Sequence, residues 1–132
     1  NIWRLRMTLL AQSDIDKVLA DNPLLTAEGL DHNFFYGPKY IPARVNLHEM
    51  QSAVDWLEKN SRRGSVNPQF TSYGLKHIAE KTAKGGYISN GAFIAAAYFL
   101  GFKVMHDRGT PNAAINISSK SVNRLRAEVG YG

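Results

Sequence analysis

An α+β, mostly helical single domain is the fold class this chain predicts, and three observations predict it. Apolar residues recur at helical spacing in several stretches that stop at Gly or Pro, while period-two alternation appears only in a pair of short segments near residues 102–106 and 113–118. A length of 132 residues with 44% hydrophobic and 20% charged content is enough for one core without staples and too apolar for disorder. The reading divides the chain into a helical and aromatic-loop extension (1–45), a core (46–118) and a basic C-terminal helix (119–132).

The opening NIWRLRMTLLAQ is basic and partly apolar but lacks a hydrophobic segment followed by a small-residue cleavage site, so it is not read as a secretory signal. It is either a terminal segment or a remnant before a start at Met7. Ser13 is placed to cap a helix over DIDKVLA, with Ile15, Val18 and Leu19 on one face and Asn22-Pro23 as the stop. Thr26 to Gly29 reads as one further helical turn that ends at glycine. From Leu30 to Val45, Gly37-Pro38 and Pro42 exclude a continuous helix. Phe34, Phe35, Tyr36 and Tyr40, beside Lys39 and Arg44, either plug this connection onto the core or stack on unpaired bases.

Asn46 and Glu49 stand at the spacing of a reciprocal cap, and Leu47, Met50, Val54 and Leu57 carry a helix over about 47–59, with Trp56 at its edge. NSRRGSVNPQF (60–70) has the composition of a mobile loop. Thr71 or Ser72 caps GLKHIAEKTA, which puts Leu75, Ile78, Ala79 and Thr82 on one side and Lys76, Lys81 and Lys84 toward solvent. Gly85-Gly86 ends that helix, and Ser89 or Asn90 caps the next, AFIAAAYFL, which is apolar nearly all round and so must pack on more than one side. Phe102, Val104 and His106 and then Ala113, Ile115 and Ile117 form the inward faces of a hairpin with a loop of about six residues, DRGTPN. Ser119 or Ser121 caps a last helix, with Val122, Leu125 and Val129 on one face and Gly130 as its stop.

Charge is uneven along this order. Residues 1–58 carry 5 Lys/Arg against 8 Asp/Glu, whereas residues 59–132 carry 11 against 3, a net +8 in the half that holds the hairpin. Such asymmetry points to a polyanion-facing surface, with solvated helix faces as the plain alternative. No cysteine is present, which excludes disulfides, thiolate nucleophiles and cysteine zinc sites, and fits a reducing, cytoplasmic setting. The longest apolar run, Gly91 to Gly101, is too short to span a bilayer, so no membrane partner is expected.

Helices near 47, 73 and 90 followed by a hairpin from 102 to 118 resemble the winged helix-turn-helix family of DNA-binding domains over residues 46–118. The resemblance implies a three-helix core, a third helix set against DNA and the hairpin as a wing, as in proteins of transcription regulation. Carried onto this chain, it assigns DNA contact to Ser89, Asn90 and Tyr98 near the third helix, to Lys76, Lys81 and Lys84 on the second, and to Lys103 and Arg108 on the wing. The residues themselves add Arg62, Arg63, His77, Lys120, Arg124 and Arg126 as phosphate contacts, and Thr110 and Asn112 as orienting groups. The start of the third helix also offers backbone N–H groups to a phosphate. The expected partner is therefore DNA, with RNA left open.

Two other classes compete with this one. His32, His48, His77 and His106 are possible acid–base groups, but none has ligand or triad spacing, and KGGYISNG matches neither a P-loop nor GxGxxG. No catalytic residue, metal or cofactor is therefore expected. The other class is a small interaction module of the kind found in phages and plasmids, in which the apolar helix 90–101 makes an oligomer interface such as a homodimer.

Overall fold

The fold is built around helix α4 (Asn90–Phe99), in which every residue from 90 to 97 is buried. Around it, in chain order, lie α1 (Gln12–Asp21), the strand pair β1 (Leu25–Thr26) and β2 (Gly29–Leu30), α2 (Leu47–Leu57), α3 (Ser72–Thr82), the strand pair β3 (Val104–His106) and β4 (Ala113–Ile115), and α5 (Ser119–Glu128). The computed structural model describes residues 8–31, 37, 39–82 and 86–130. Among the described residues this is an α+β arrangement of five helices and two separate antiparallel strand pairs. Phe34, Phe35 and Tyr36 of the aromatic connection, together with His32 and Lys84, lie outside the described residues.

Four of the five described helices start where a side chain satisfies one of their first free amides. Asn46 accepts from the Glu49 amide at 3.0 Å, Ser89 from Ala92 at 3.1 Å and Ser118 from Ser121 at 3.3 Å. Thr71 caps α3 through the Gly74 amide at 3.1 Å. In α1 the cap position is Ala11 rather than Ser13, and the Asp14 carboxylate accepts from the Ala11 amide at 2.8 Å. The expected reciprocal cap at Asn46 is half made, because Glu49 turns instead to the Ser89 amide at 2.8 Å and so ties the start of α4 to α2.

Helix α4 packs against α1, α2, α3, β1, β2 and β3. Phe93 and Ile94 are fully buried, and burying side chains of that size contributes about 2 kcal/mol each. Trp56, expected at an edge, is only 1% exposed, with its ring 6.1 Å from that of Phe93. Because all sides of α4 are covered within one chain, residues 90–97 have no face left for a second copy.

Thr26 to Gly29 is a tight hairpin rather than a helical turn, with Leu25 opposite Leu30 and Thr26 opposite Gly29. Gly29 has φ of +124°, and a Cβ there would stand 2.3 Å from the Pro111 carbonyl oxygen, so only glycine fits. This hairpin sits on the N-terminal end of α4. The Gly91 amide donates to Ala27 O at 3.0 Å, and a Cβ on Gly91 would lie 1.7 Å from Thr26 O.

The second hairpin matches the expected alternation, with Val104 opposite Ile115, Met105 opposite Ala114 and His106 opposite Ala113. Its outer edge is covered by the segment expected to be a mobile loop. The Arg63 amide donates to Asn116 O at 2.8 Å, the Asn67 amide to Ile115 O at 2.8 Å, and Arg62 bridges Ile117. Asn67 is 1% exposed and donates through its side chain to Ile117 O and to Ser119 Oγ.

Candidate nucleic-acid interface

The residues expected to read bases are interior. Asn90 is buried and donates through Nδ2 to Glu28 O, Pro111 O and Asn112 Oδ1 at 3.0–3.2 Å, while its Oδ1 accepts from the Ser72 hydroxyl at 2.7 Å. Ser72 in turn accepts from the Ala113 amide. One amide side chain thus joins both hairpins, α3 and α4. Ser89 is spent on its cap and on Glu49, and Asn112 on Asn90. With β1–β2 closing the start of α4, neither a phosphate nor a groove edge can reach that helix end, which corrects the expectation of a presented third helix.

Lys76 is also corrected. It is 3% exposed, because Leu75 and Ala79 carry its flank into the core and the Tyr87 ring covers it. Its ammonium lies 3.2 Å from Glu80 Oε2 and 4.4 Å from the centre of the Tyr87 ring. Glu80 also accepts from the Ile88 amide at 2.9 Å and pairs with His77 Nδ1 at 2.9 Å. Burial alone would raise the Glu80 carboxyl, but the bonds from Ile88, His77 and Lys76 outweigh it and hold it below the usual carboxylate range. Tyr87 moves the other way, through partial desolvation and the nearby carboxylates of Glu49, Glu80 and Glu28. This cluster clamps the segment after α3 against the helix, and its acids and bases neutralise one another. Among the described residues no group of three or more His, Asp or Glu is arranged to hold a metal.

The remaining cations are brought together mainly at one end, by the packing of 59–67 on the hairpin and α5. Asn116 is the stitch. Its Oδ1 accepts from the Lys103 amide at 2.7 Å, its Nδ2 donates to Arg63 O at 2.9 Å, and its own carbonyl takes the Arg63 amide. Lys103 Nζ reaches Gly64 O, and Arg124 donates to Lys59 O at 3.0 Å. Ser118 N bonds Ser61 O, and Ser121 Oγ holds both Ser61 N and Asn60. The result sets Lys59, Arg62, Arg63, Lys103 and Arg124 around one junction, with Lys120 one turn before Arg124 on the same face of α5. All six are exposed. Arg62 is partly committed, since its guanidinium stacks 4.1 Å from the Phe102 ring centre and donates to Leu100 O. Glu128 lies 3.9 Å from Arg124, and exposed Glu58 directly precedes Lys59.

Arg108 stands apart at the tip of the β3–β4 loop, which is tied down rather than free. Pro111 O accepts from the Leu30 amide at 2.9 Å, and Thr110 bonds Asp107, His106 and Asn112. His77, Lys81 and Arg126 line a third region, a groove between α3 and α5. Tyr98, the other aromatic assigned to DNA contact, is half-buried, and that burial raises its hydroxyl. Arg44, offered beside the aromatic connection, pairs with Asp16 at 3.3 Å.

Asn116 and Asn67, which shape the basic end, were not among the residues expected there, and Ser121, expected as a cap of α5, instead ties Asn60 and Ser61 to that helix while Ser118 is the cap. The available signal was a pair of asparagines inside or beside apolar stretches, the usual mark of a satisfied buried group. No described helix is long and apolar enough to cross a membrane. Comparison with models of known protein families, with curated proteins and with solved structures finds no match to this chain. Fold and site define it as an α+β domain with a cationic end.

Proposed function

We propose that this chain is a non-catalytic nucleic-acid-binding domain that grips the phosphate backbone through its basic end. The observation that carries this reading is the convergence of Lys59, Arg62, Arg63, Lys103, Lys120 and Arg124 from three separate segments onto one junction, fixed by the buried Asn116 and Ser121. Such a surface supplies affinity by releasing counterions and carries no base readout of its own. The element order of a winged helix-turn-helix is retained in this proposal only in part. The hairpin and its neighbours make the contact, and the enclosed helix α4 serves as scaffold.

The test is a salt titration of binding to DNA and to RNA by fluorescence anisotropy. Five engaged cations give a slope of log K against log salt of about −4, and each charge lost reduces it by roughly 0.7–0.9. Arg63→Glu and Lys103→Glu are expected to weaken binding together and flatten that slope. Affinity that ignores salt, or reversals that change nothing, overturn the proposal.

A further inference from the structure

We infer that the preferred ligand is single-stranded nucleic acid, with unpaired bases seated along a track that runs past Phe70. This rests on the phosphate-binding reading above and names its substrate class. Two neighbouring grooves share Phe70 and Thr71 as a common wall. One, of about 320 Å³, lies on the outer side of the hairpin, floored by Val66, Pro68 and Met105 and edged by Arg108. The other, of about 810 Å³, continues between α3 and α5 past Ile78 to Lys81 and Arg126. Met105 is 61% exposed although it sits mid-strand, and Lys103 of the basic end lies two residues before it, on the same side by strand alternation.

An apolar floor between cations has no use against a duplex, whose base faces are stacked away. Against a single strand the cations take phosphates and the floor takes base faces, the pairing of a sequence-tolerant single-strand site. The wall between the grooves is set before any ligand arrives. Asn67 Oδ1 accepts from the Gln69 amide at 3.0 Å, Ser119 holds the Gln69 side chain at 2.6 Å, and Thr71 caps α3. Phe70 therefore has a backbone fixed on both sides, which reduces the ordering that binding must supply. Two carboxylates border the track. Glu80 is already engaged by Lys76 and His77, and Asp107 beside Arg108 is an acceptor suited to a base amino group.

The experiment compares one labelled mixed-sequence oligonucleotide as single-stranded DNA, as single-stranded RNA and as duplex DNA, at one salt concentration, with the wild-type chain, Phe70→Leu and Met105→Asp. Melting curves confirm that each variant is folded, and Met105→Asp alters an exposed position. The expected result is single strands of either sugar bound at least 10-fold more tightly than duplex, with a loss of roughly 10-fold for each variant on single strands only. Equal affinity for single strand and duplex, or variants that behave as wild type, overturn this inference and leave the phosphate-binding proposal standing. Binding to none of the three probes overturns both.

Discussion

Gly91→Ala tests the closure of α4 by the first hairpin. In a solvent-facing helix this change stabilises by up to about 1 kcal/mol, because alanine is the better helix former. At Gly91 the new Cβ would stand 1.7 Å from Thr26 O, 2.7 Å from Thr26 C and 2.8 Å from the Ala27 Cα, all of them backbone atoms that cannot swing aside. The β1–β2 hairpin must retreat by about 1.5–2 Å to restore an ordinary contact distance of about 3.5 Å, which strains or breaks the 3.0 Å bond from the Gly91 amide to Ala27 O. Overpacking of that kind costs about 1–3 kcal/mol and the lost bond about 1 kcal/mol, so after the gain in helix propensity the net is a destabilisation of about 1–3 kcal/mol. For a domain of this size that is a fall in Tm of about 4–12 °C. Gly74 supplies the control, since a Cβ there meets only Thr71 Oγ1 at 3.5 Å, and Gly74→Ala is expected to raise Tm by a few degrees. Thermal and urea unfolding followed by circular dichroism read both. Two variants shifting the same way would refute the docking of the hairpin on α4.

Three further outcomes are expected. Asn116→Ala leaves the Lys103 amide and the Arg63 carbonyl without their buried partner, which costs about 2 kcal/mol in urea unfolding and lowers nucleic-acid affinity by loosening the basic end. The Glu80 carboxyl sits lower in the folded chain than in the unfolded one, so its contribution is complete above the ordinary carboxylate pKa of about 4.3 and is lost as pH falls through the folded value. Glu80→Gln should therefore destabilise at neutral pH by about 2–3 kcal/mol, having left the buried Lys76 without its counter-ion, and should flatten the loss of stability on acidification; an unchanged acid profile counts against the clamp. Arg44→Ala, which removes only an exposed pair with Asp16, should change stability by less than about 1 kcal/mol and leave nucleic-acid binding intact.

What the sequence revealed follows from the range of the interactions that decide each element. The α4 stretch is apolar on every side, so its burial needed no partner to be known, and the alternation around 102–117 fixed the inward face of the hairpin correctly. Thr26 to Gly29 misled because a Thr start and a Gly stop fit a helical turn equally well. Its pairing depends on the Pro111 carbonyl and the Ala43 carbonyl, both distant in the chain. Lys76 lies beside the Leu75–Ala79 stripe and reads as solvent-facing until Tyr87 returns over it. Asn116 occupies an outward position by alternation, yet it is buried because residues 61–67 lie along that edge as a third strip. The charge asymmetry was visible from the start, whereas its sorting into the basic end, the enclosed Lys76 and the groove by Lys81 depends on that same long-range packing.

Where an oligonucleotide lands decides the account most directly. Amide chemical-shift mapping of the isotope-labelled chain, titrated with a short single strand at low salt, should move signals at 59–81, 103–108 and 118–126 and leave 88–97 still. Shifts centred on the start of α4, or spread without pattern over α1 and α2, contradict it.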